Sequence, residues 1–339
     1  NAEHLAIARK AKEFLLKNAP QRDGWWAEEF ARDGKILKPF TGDLYGMYFA
    51  AEGLQEYAWA AQDEQSRDMA VALMKKLRRK SEEPNFLCMD TTVPGQRTQG
   101  LWMVNLNTAR QMVARWPDAE IQGILDEAID NVIRRHFNPD IGLNNEVLNR
   151  DGSRPKDHVM KCLLGHSVET LWMIAEEALR RGDRKLWETC TERIRRHIEV
   201  GWDHVFGGLS EWVNVDQGGY EWPPYTPVGT KLVFRYTGEY FYVKPLWALH
   251  EILVATLNIL EQTGAEEVRG VAADPGLRGD VAAEADARER EVVAHAARGG
   301  RRRRGAHRQV LEPAVGLAPL VQEVRAPALI GEPGVGLLE

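Results

Sequence analysis

A chain of 339 residues with 44% hydrophobic and 28% charged content has the composition of a globular protein, long enough for one large domain or two ordinary ones. Its formal net charge of −6 gives nucleic acid no electrostatic reason to bind, and no apolar run approaches the ~18–20 residues of a membrane span. Cys88, Cys162 and Cys190 are scattered without CxxC spacing, which suits reduced thiols in a cytoplasmic protein and specifies no metal site. A leader removed ahead of Asn1 is compatible with a first residue other than Met.

Taken in order, Ala2 to Lys17 carries apolar Leu5, Ile7, Ala8, Ala11, Phe14 and Leu15 with lysines and Glu13 between them, the pattern of an amphipathic helix. Gly24 to Gly34 reads as a loop or short hairpin. Thr41-Gly42-Asp43 then caps a helix from Leu44 to about Trp59 whose first turns are almost wholly apolar, as a buried helix requires. After Asp63 comes a helix with one wet face, carrying Lys75, Lys76, Arg78 and Arg79. The same alternation follows twice more. An apolar helix opening at Leu101 precedes a charged one from Pro117 to near Phe137, and an apolar helix from His166 to Arg180 precedes a charged one from Asp183 to Val200. A final apolar helix spans Lys244 to Leu260.

Short turns (Gln62-Asp63, Trp116-Pro117-Asp118, Arg181-Gly182-Asp183) join each apolar helix to its charged partner, and long loops join one pair to the next. The loop sequence from Phe137 to Leu143 echoes that from Trp202 to Leu209. Helical hairpins repeated in this way predict an α/α toroid, with buried helices inside, amphipathic helices outside and the long loops gathered at one mouth. Eleven Trp, all between Trp25 and Trp247, suit either a large core or a groove that stacks sugar rings.

The start of the third apolar helix carries the chemistry. In Gly165-His166-Ser167-Val168-Glu169 a histidine and a glutamate share one helical face, and an imidazole held by a carboxylate is a suitable general base near neutral pH. A histidine paired with a surface glutamate is the plainer alternative for these two residues alone. This stretch resembles the Gly-His-x-x-Glu motif of the N-acylglucosamine 2-epimerase and cellobiose 2-epimerase family. Lys244-Pro245-Leu246-Trp247-Ala248-Leu249-His250-Glu251 resembles that family's Lys-x-Trp-Trp-x-x-x-Glu. Leu44-Tyr45-Gly46-Met47-Tyr48-Phe49-Ala50 resembles its Leu-Tyr-Asp-Gln-Ala-Phe-Ala, and Gly201-Trp202-Asp203 with Phe206-Gly207-Gly208 is a fourth echo.

The resemblance covers roughly Ala2 to Gly264 and implies an all-α fold, an incomplete (α/α)6 barrel. It implies His166 as a catalytic acid/base with Glu169 fixing its tautomer, and Tyr45, Trp247 and Glu251 as groups that hold the sugar. The implied reaction removes the C2 proton of a ring-opened reducing sugar and returns a proton to an enediol(ate), without metal or redox cofactor. On composition alone Tyr45 and Trp247 are core aromatics, whereas a carboxylate such as Glu251 inside an apolar helix needs a partner or a purpose. His158, His204 and His250 read as loop or outer-face histidines. Asn105 and Asn107 are either packed or pocket-lining.

Three departures from the family pattern stand out. No helix supplies the family's arginine in an Arg-x-x-Trp setting, so the chain starts about one hairpin late. Gln99-Gly100-Leu101-Trp102-Met103 stands where disaccharide epimerases carry Asn-Pro-x-Met-His. After about Gly264 the composition changes. Residues 265–339 contain no Lys, Trp, Phe, Tyr, Met, Cys, Asn, Ser or Thr, and neither His295 nor His307 has the His-x-Pro-Arg setting of the second catalytic histidine.

The expected organisation is thus a partial barrel over 1–264, followed by a tail over 265–339 that is solvated or the product of a shifted reading frame. Only weak turnover or none is expected from a chain with one of the two histidines. The alternatives are a glycosidase or lyase using Glu169 and Glu251, or a sugar-binding toroid without catalysis. The expected partner is a small reducing sugar, not nucleic acid or membrane. A homodimer and nucleotide effectors occur among such relatives, and no residue here identifies either.

Overall fold

The computed structural model describes residues 1–88, 91, 93–215 and 244–263. The expected tail over 265–339 therefore lies outside the described residues. The eight α-helices among them are α1 (Ala2–Asn18), α2 (Tyr45–Ala61), α3 (Glu64–Glu82), α4 (Gln99–Arg115), α5 (Ala119–Asp130), α6 (Leu164–Arg181), α7 (Arg184–Gly201) and α8 (Leu246–Thr263).

Three hairpins, α2–α3, α4–α5 and α6–α7, stand side by side, with α2, α4, α6 and α8 as successive neighbours in an inner row. The outer row is α3, α5 and α7, with α1 against α2. Between the rows lies the core, where Met74, Leu77, Leu106, Met112, Ile121, Leu125, Leu171 and Ile174 are fully or almost fully buried. A buried side chain of this size contributes ~1.5–3 kcal/mol through the water it no longer orders.

The hairpin turns use one device three times. An aspartate caps each outer helix: Asp63 accepts Ser66 N at 3.1 Å, Asp118 accepts Ile121 N at 3.0 Å and Asp183 accepts Leu186 N at 3.0 Å. Gln62 (φ 55°) and Gly182 (φ 71°) end α2 and α6 in the left-handed conformation that turns the chain back. Lys12 on α1 reaches Asp63 at 2.8 Å, and Lys75 on α3 reaches Asp118 at 2.7 Å. The same kind of contact thus joins α1 to the start of α3 and α3 to the start of α5. The lysine, followed by the Ser66 amide, holds the Asp63 carboxyl down to about 2.

Eight short strands lie in the loops: β1 (Glu29–Phe30), β2 (Ile36–Lys38), β3 (Arg97–Thr98), β4 (Phe137–Asn138), β5 (Leu143–Asn144), β6 (Val147–Leu148), β7 (Lys161–Leu163) and β8 (Trp212–Asn214). The pair β1–β2 is the hairpin expected between Gly24 and Gly34, set slightly later. The two echoing loops fold alike. After α5, Asn138 O accepts Gly142 N at 2.9 Å; after α7, Asp203 O accepts Gly207 N at 2.8 Å, with Gly142 at φ 70° and Gly207 at φ 69°. Each loop then returns to the strand that enters its own inner helix: β6 pairs antiparallel with β3 ahead of α4, and β8 with β7 ahead of α6. These returns tie the inner helices to the loop-bearing mouth.

One expectation needs correction. The charged helix expected to run on to Phe137 is α-helical only to Asp130 and then widens into a π-helical turn, Asn131–His136. Asn131 Nδ2 donates to Glu127 O at 2.8 Å, so a side chain competes for the helical carbonyl there. The wider turn buries His136, whose Nδ1 meets Asn145 O at 2.7 Å. His197 of α7 grips the same loop, with Nε2 accepting Asn144 N at 3.0 Å and Nδ1 donating to Arg193 O at 2.7 Å.

Burial presses both imidazoles down to about 4. A folded pKa below the unfolded value of 6.5 means that their contribution to stability is complete above pH 6.5 and is lost as pH falls towards 4. The thermal midpoint should therefore decline between pH 6.5 and 4.5. His197→Gln, which can still accept from Asn144 but does not titrate, should flatten that decline in circular-dichroism melts; an unchanged slope would exclude His197 as a source.

Candidate active site

The N-terminal turns of the inner helices meet at the loop-bearing mouth. His166 lies in the first turn of α6, where Gln99 Nε2 donates to the His166 carbonyl at 3.2 Å. Its Nδ1 lies 3.2 Å from Glu146 Oε1, in the loop between β5 and β6. The same carboxylate oxygen accepts Gly100 N, in the first turn of α4, at 3.0 Å.

The carboxylate that meets the imidazole at Nδ1 is Glu146. Three-residue spacing puts Glu169 on the same side of α6, yet sharing a face does not aim a carboxylate at a chosen ring nitrogen. Glu169 is close enough to the imidazole for their charges to interact. Burial, then the nearby Glu251 carboxylate, push its carboxyl up to about 7, with His166 pulling the other way and Glu52 and Glu146 adding to the rise.

Because the folded chain holds that proton more tightly than the unfolded one, Glu169 costs stability as pH rises from about 4.5 to about 7. Glu169→Gln should therefore raise the thermal midpoint at pH 8, by a stability gain on the order of 1–2 kcal/mol after solvent screening, and leave it nearly unchanged at pH 4.5. Equal midpoints at pH 8 would show that the carboxylate is not strained there.

Trp247 rises from the first turn of α8 beside His166, with ring centroids 5.6 Å apart and planes tilted by 48°, and 37% of the residue remains exposed. Two glycines permit this crowding. A Cβ on Gly165 would fall 2.5 Å from Trp247 Cζ3 and 3.0 Å from Ala248 Cβ. A Cβ on Gly100 would strike the Tyr45 hydroxyl and come 3.0 Å from His166 Cε1. Tyr45, at the start of α2, thus reaches the same place from the other side. The second position of α4 admits His166, and the second position of α6 admits Trp247.

Glu251, one turn along from Trp247, is half-buried and has a partner, since Trp172 Nε1 donates to its Oε2 at 2.8 Å. Further along the inner helices, Glu52 accepts from Asn107 and Gln111, both at 2.9 Å, and Arg110 meets Glu176 at 2.5 Å. Asn107 is thus half-buried and tied to Glu52, whereas Asn105 is packed, accepting the Tyr48 hydroxyl at 3.0 Å. His204 and His250 are exposed on a loop and on α8. His158 closes a loop turn and is largely buried, which presses it down to about 4. Cys88, Cys162 and Cys190 are buried and are not disulfide-bonded to one another. Among the described residues no group of three or more His, Cys, Asp and Glu side chains is arranged to hold a metal ion, and no helix is long and apolar enough to cross a membrane.

Glu146, Gln99 and Trp172 were not singled out from sequence. A signal existed for Glu146. Extending the loop echo past Leu143 and Leu209 aligns Glu146 with Glu211, given one fewer residue in the second loop. The structure bears out that alignment: Glu146 O accepts Gln99 N at the start of α4 at 2.7 Å, and Glu211 O accepts Leu164 N at the start of α6 at 3.0 Å.

No protein-family model and no curated protein matches this sequence. Solved structures do match. Cellobiose 2-epimerase from Bacillus thermoamylovorans B4167 superposes with a TM-score of 0.62 at 17% identity, over 80% of this chain and 69% of that one. The chain folds like a sugar epimerase. A sugar epimerase from a ruminal bacterium gives 0.58 at 15% identity, over 80% of this chain and 68% of that one. D-mannose isomerase gives 0.56 at 14%, over 79% and 67%. The epimerase-like architecture is thus an (α/α)6 toroid, of which the described residues supply four inner helices.

Proposed function

We propose that this chain acts on the carbon beside the carbonyl of a ring-opened reducing sugar, as a 2-epimerase or aldose–ketose isomerase of the N-acylglucosamine 2-epimerase type. One observation carries the reading: at a single mouth of an epimerase-like toroid, the imidazole of His166 lies beside the exposed indole of Trp247, and the carboxyl of Glu169 titrates near neutrality.

Trp247 offers its face to the apolar side of the sugar, with Tyr45 and Glu251 at the flanks. Neutral His166 takes the C2 proton, and the bonding pair moves towards the carbonyl to form the enediolate. Glu169, whose carboxyl burial and the Glu251 charge push up to about 7, supplies a proton to that intermediate. Delivery to the opposite face of C2 gives the epimer; delivery to C1, with the O2 hydroxyl proton passing to O1 as the C2 carbonyl forms, gives the ketose.

Solvent exchange at C2 in deuterium oxide, followed by NMR with N-acetylglucosamine, mannose and cellobiose in turn, tests this directly. Slow exchange with at least one sugar is expected, and none with any of the three would refute the reading. The Glu169–Glu251 carboxylate pair supports a second reading, glycoside cleavage, which would release reducing ends from an oligosaccharide without C2 exchange.

A further inference from the structure

We infer that Glu146 is the positioning residue of the site: its carboxylate, anchored by the first turn of α4, holds His166 with the proton on Nδ1 and leaves Nε2 as the basic nitrogen. The inference deepens the sugar-isomerase reading and rests on it only where turnover is the readout.

The geometry that supports it lies on three elements. The Glu146 side chain is only 1% exposed while that of His166 is 16% exposed, so the carboxylate sits behind the imidazole on its protein side. One oxygen, Oε1, serves both Gly100 N at 3.0 Å and His166 Nδ1 at 3.2 Å. Oε1 already accepts the Gly100 amide, and a proton on Nδ1 lets the same oxygen accept a second hydrogen bond from the imidazole. The Gly100 amide belongs to the N-terminal turn of α4, where free N–H groups and the helix dipole favour a negative charge. The backbone of Glu146 is fixed as well, because its carbonyl accepts Gln99 N at 2.7 Å.

The arrangement is expensive if its only purpose is folding. Oε2 is buried and has no hydrogen-bond partner among the described residues. A buried carboxylate with one unsatisfied oxygen costs more than a neutral side chain of similar size. A glutamine could accept from Gly100 equally well. What a glutamine could not provide is a full negative charge opposite Nδ1, which favours the Nδ1–H tautomer and steadies the imidazolium formed when Nε2 takes a proton. The loop that carries Glu146 belongs to the α4–α5 hairpin, so one repeat unit orients the base on the next.

The test uses the full chain with 15N-labelled histidine. Long-range 1H–15N spectra at pH 8 should show His166 with a protonated Nδ1 and an imine-type Nε2. Dominant protonation at Nε2 in the unmodified protein would overturn the inference by itself, whether or not any variant folds. In Glu146→Gln the tautomers should mix, with Nε2–H gaining. The kcat for C2 exchange should then fall on the order of 10²-fold, with KM changed by less than about 3-fold. Unaltered ring shifts in a folded Glu146→Gln would also overturn it. The two readings fail separately. Absence of C2 exchange in the unmodified chain with His166 still Nδ1-protonated refutes the sugar reaction and leaves the positioning intact. Exchange that Glu146→Gln does not slow refutes the positioning and leaves the reaction standing.

Discussion

His166→Ala should reduce C2 hydrogen exchange at least 10²-fold and by as much as about 10⁴-fold, the usual worth of a well-placed acid/base group. The loss should appear in kcat, because in the proposed mechanism Trp247 and its neighbours hold the sugar and the imidazole does not. The fold should survive. The His166 side chain is partly exposed, and the helix start around it is secured by others: Gln99 holds its carbonyl and Ser167 Oγ donates to Leu163 O at 3.0 Å. Exchange measured alongside a thermal melt separates the outcomes. Retained exchange in a folded variant would remove His166 from the mechanism.

The second large effect is expected from a residue without a side chain. Gly165→Ala puts a methyl group where the Trp247 ring and Ala248 now lie, at 2.5 Å from Cζ3 and 3.0 Å from the Ala248 Cβ. An indole has no slack end to bend away, so the ring or the whole start of α8 must move. Overpacking of this kind typically costs ~1–3 kcal/mol. Stacking on Trp247 should weaken with it, raising KM roughly 10-fold for a loss of about 1.4 kcal/mol. Trp fluorescence quenching by the sugar reports this without turnover. Unchanged quenching would show that Trp247 is not the platform. Gly100→Ala makes an instructive contrast, because the nearest atom there is the tip of Tyr45, which can swing aside, while His166 Cε1 at 3.0 Å cannot retreat as easily.

Much of the architecture could be read from residue order because its causes are local. An apolar helix followed by a one-sided helix must bury the first beneath the second, and three aspartates (Asp63, Asp118 and Asp183) mark where each pair turns. The echo between Phe137–Leu143 and Trp202–Leu209 corresponds to two loops with the same backbone hydrogen bond and the same left-handed glycine. The π-helical turn at Asn131–His136 escaped because it depends on one side chain winning a carbonyl from the helix ladder, which periodicity does not register.

Within the candidate site, the residues named from motifs come from the starts of α2, α6 and α8, where helix onset and glycine spacing are visible in the chain itself. Their partners are not. Glu251 and Trp172 are 79 positions apart, and Glu146 and Gly100 are 46 apart. By itself the sequence determined the helical hairpins, their order and the candidate base on α6, since each follows from spacing within a few turns of chain. Only the tertiary structure decided which carboxylate meets the imidazole, which glycines admit the aromatic rings and which acid sits near neutrality, because those depend on distances between groups that the chain brings together only when the inner helices stand side by side.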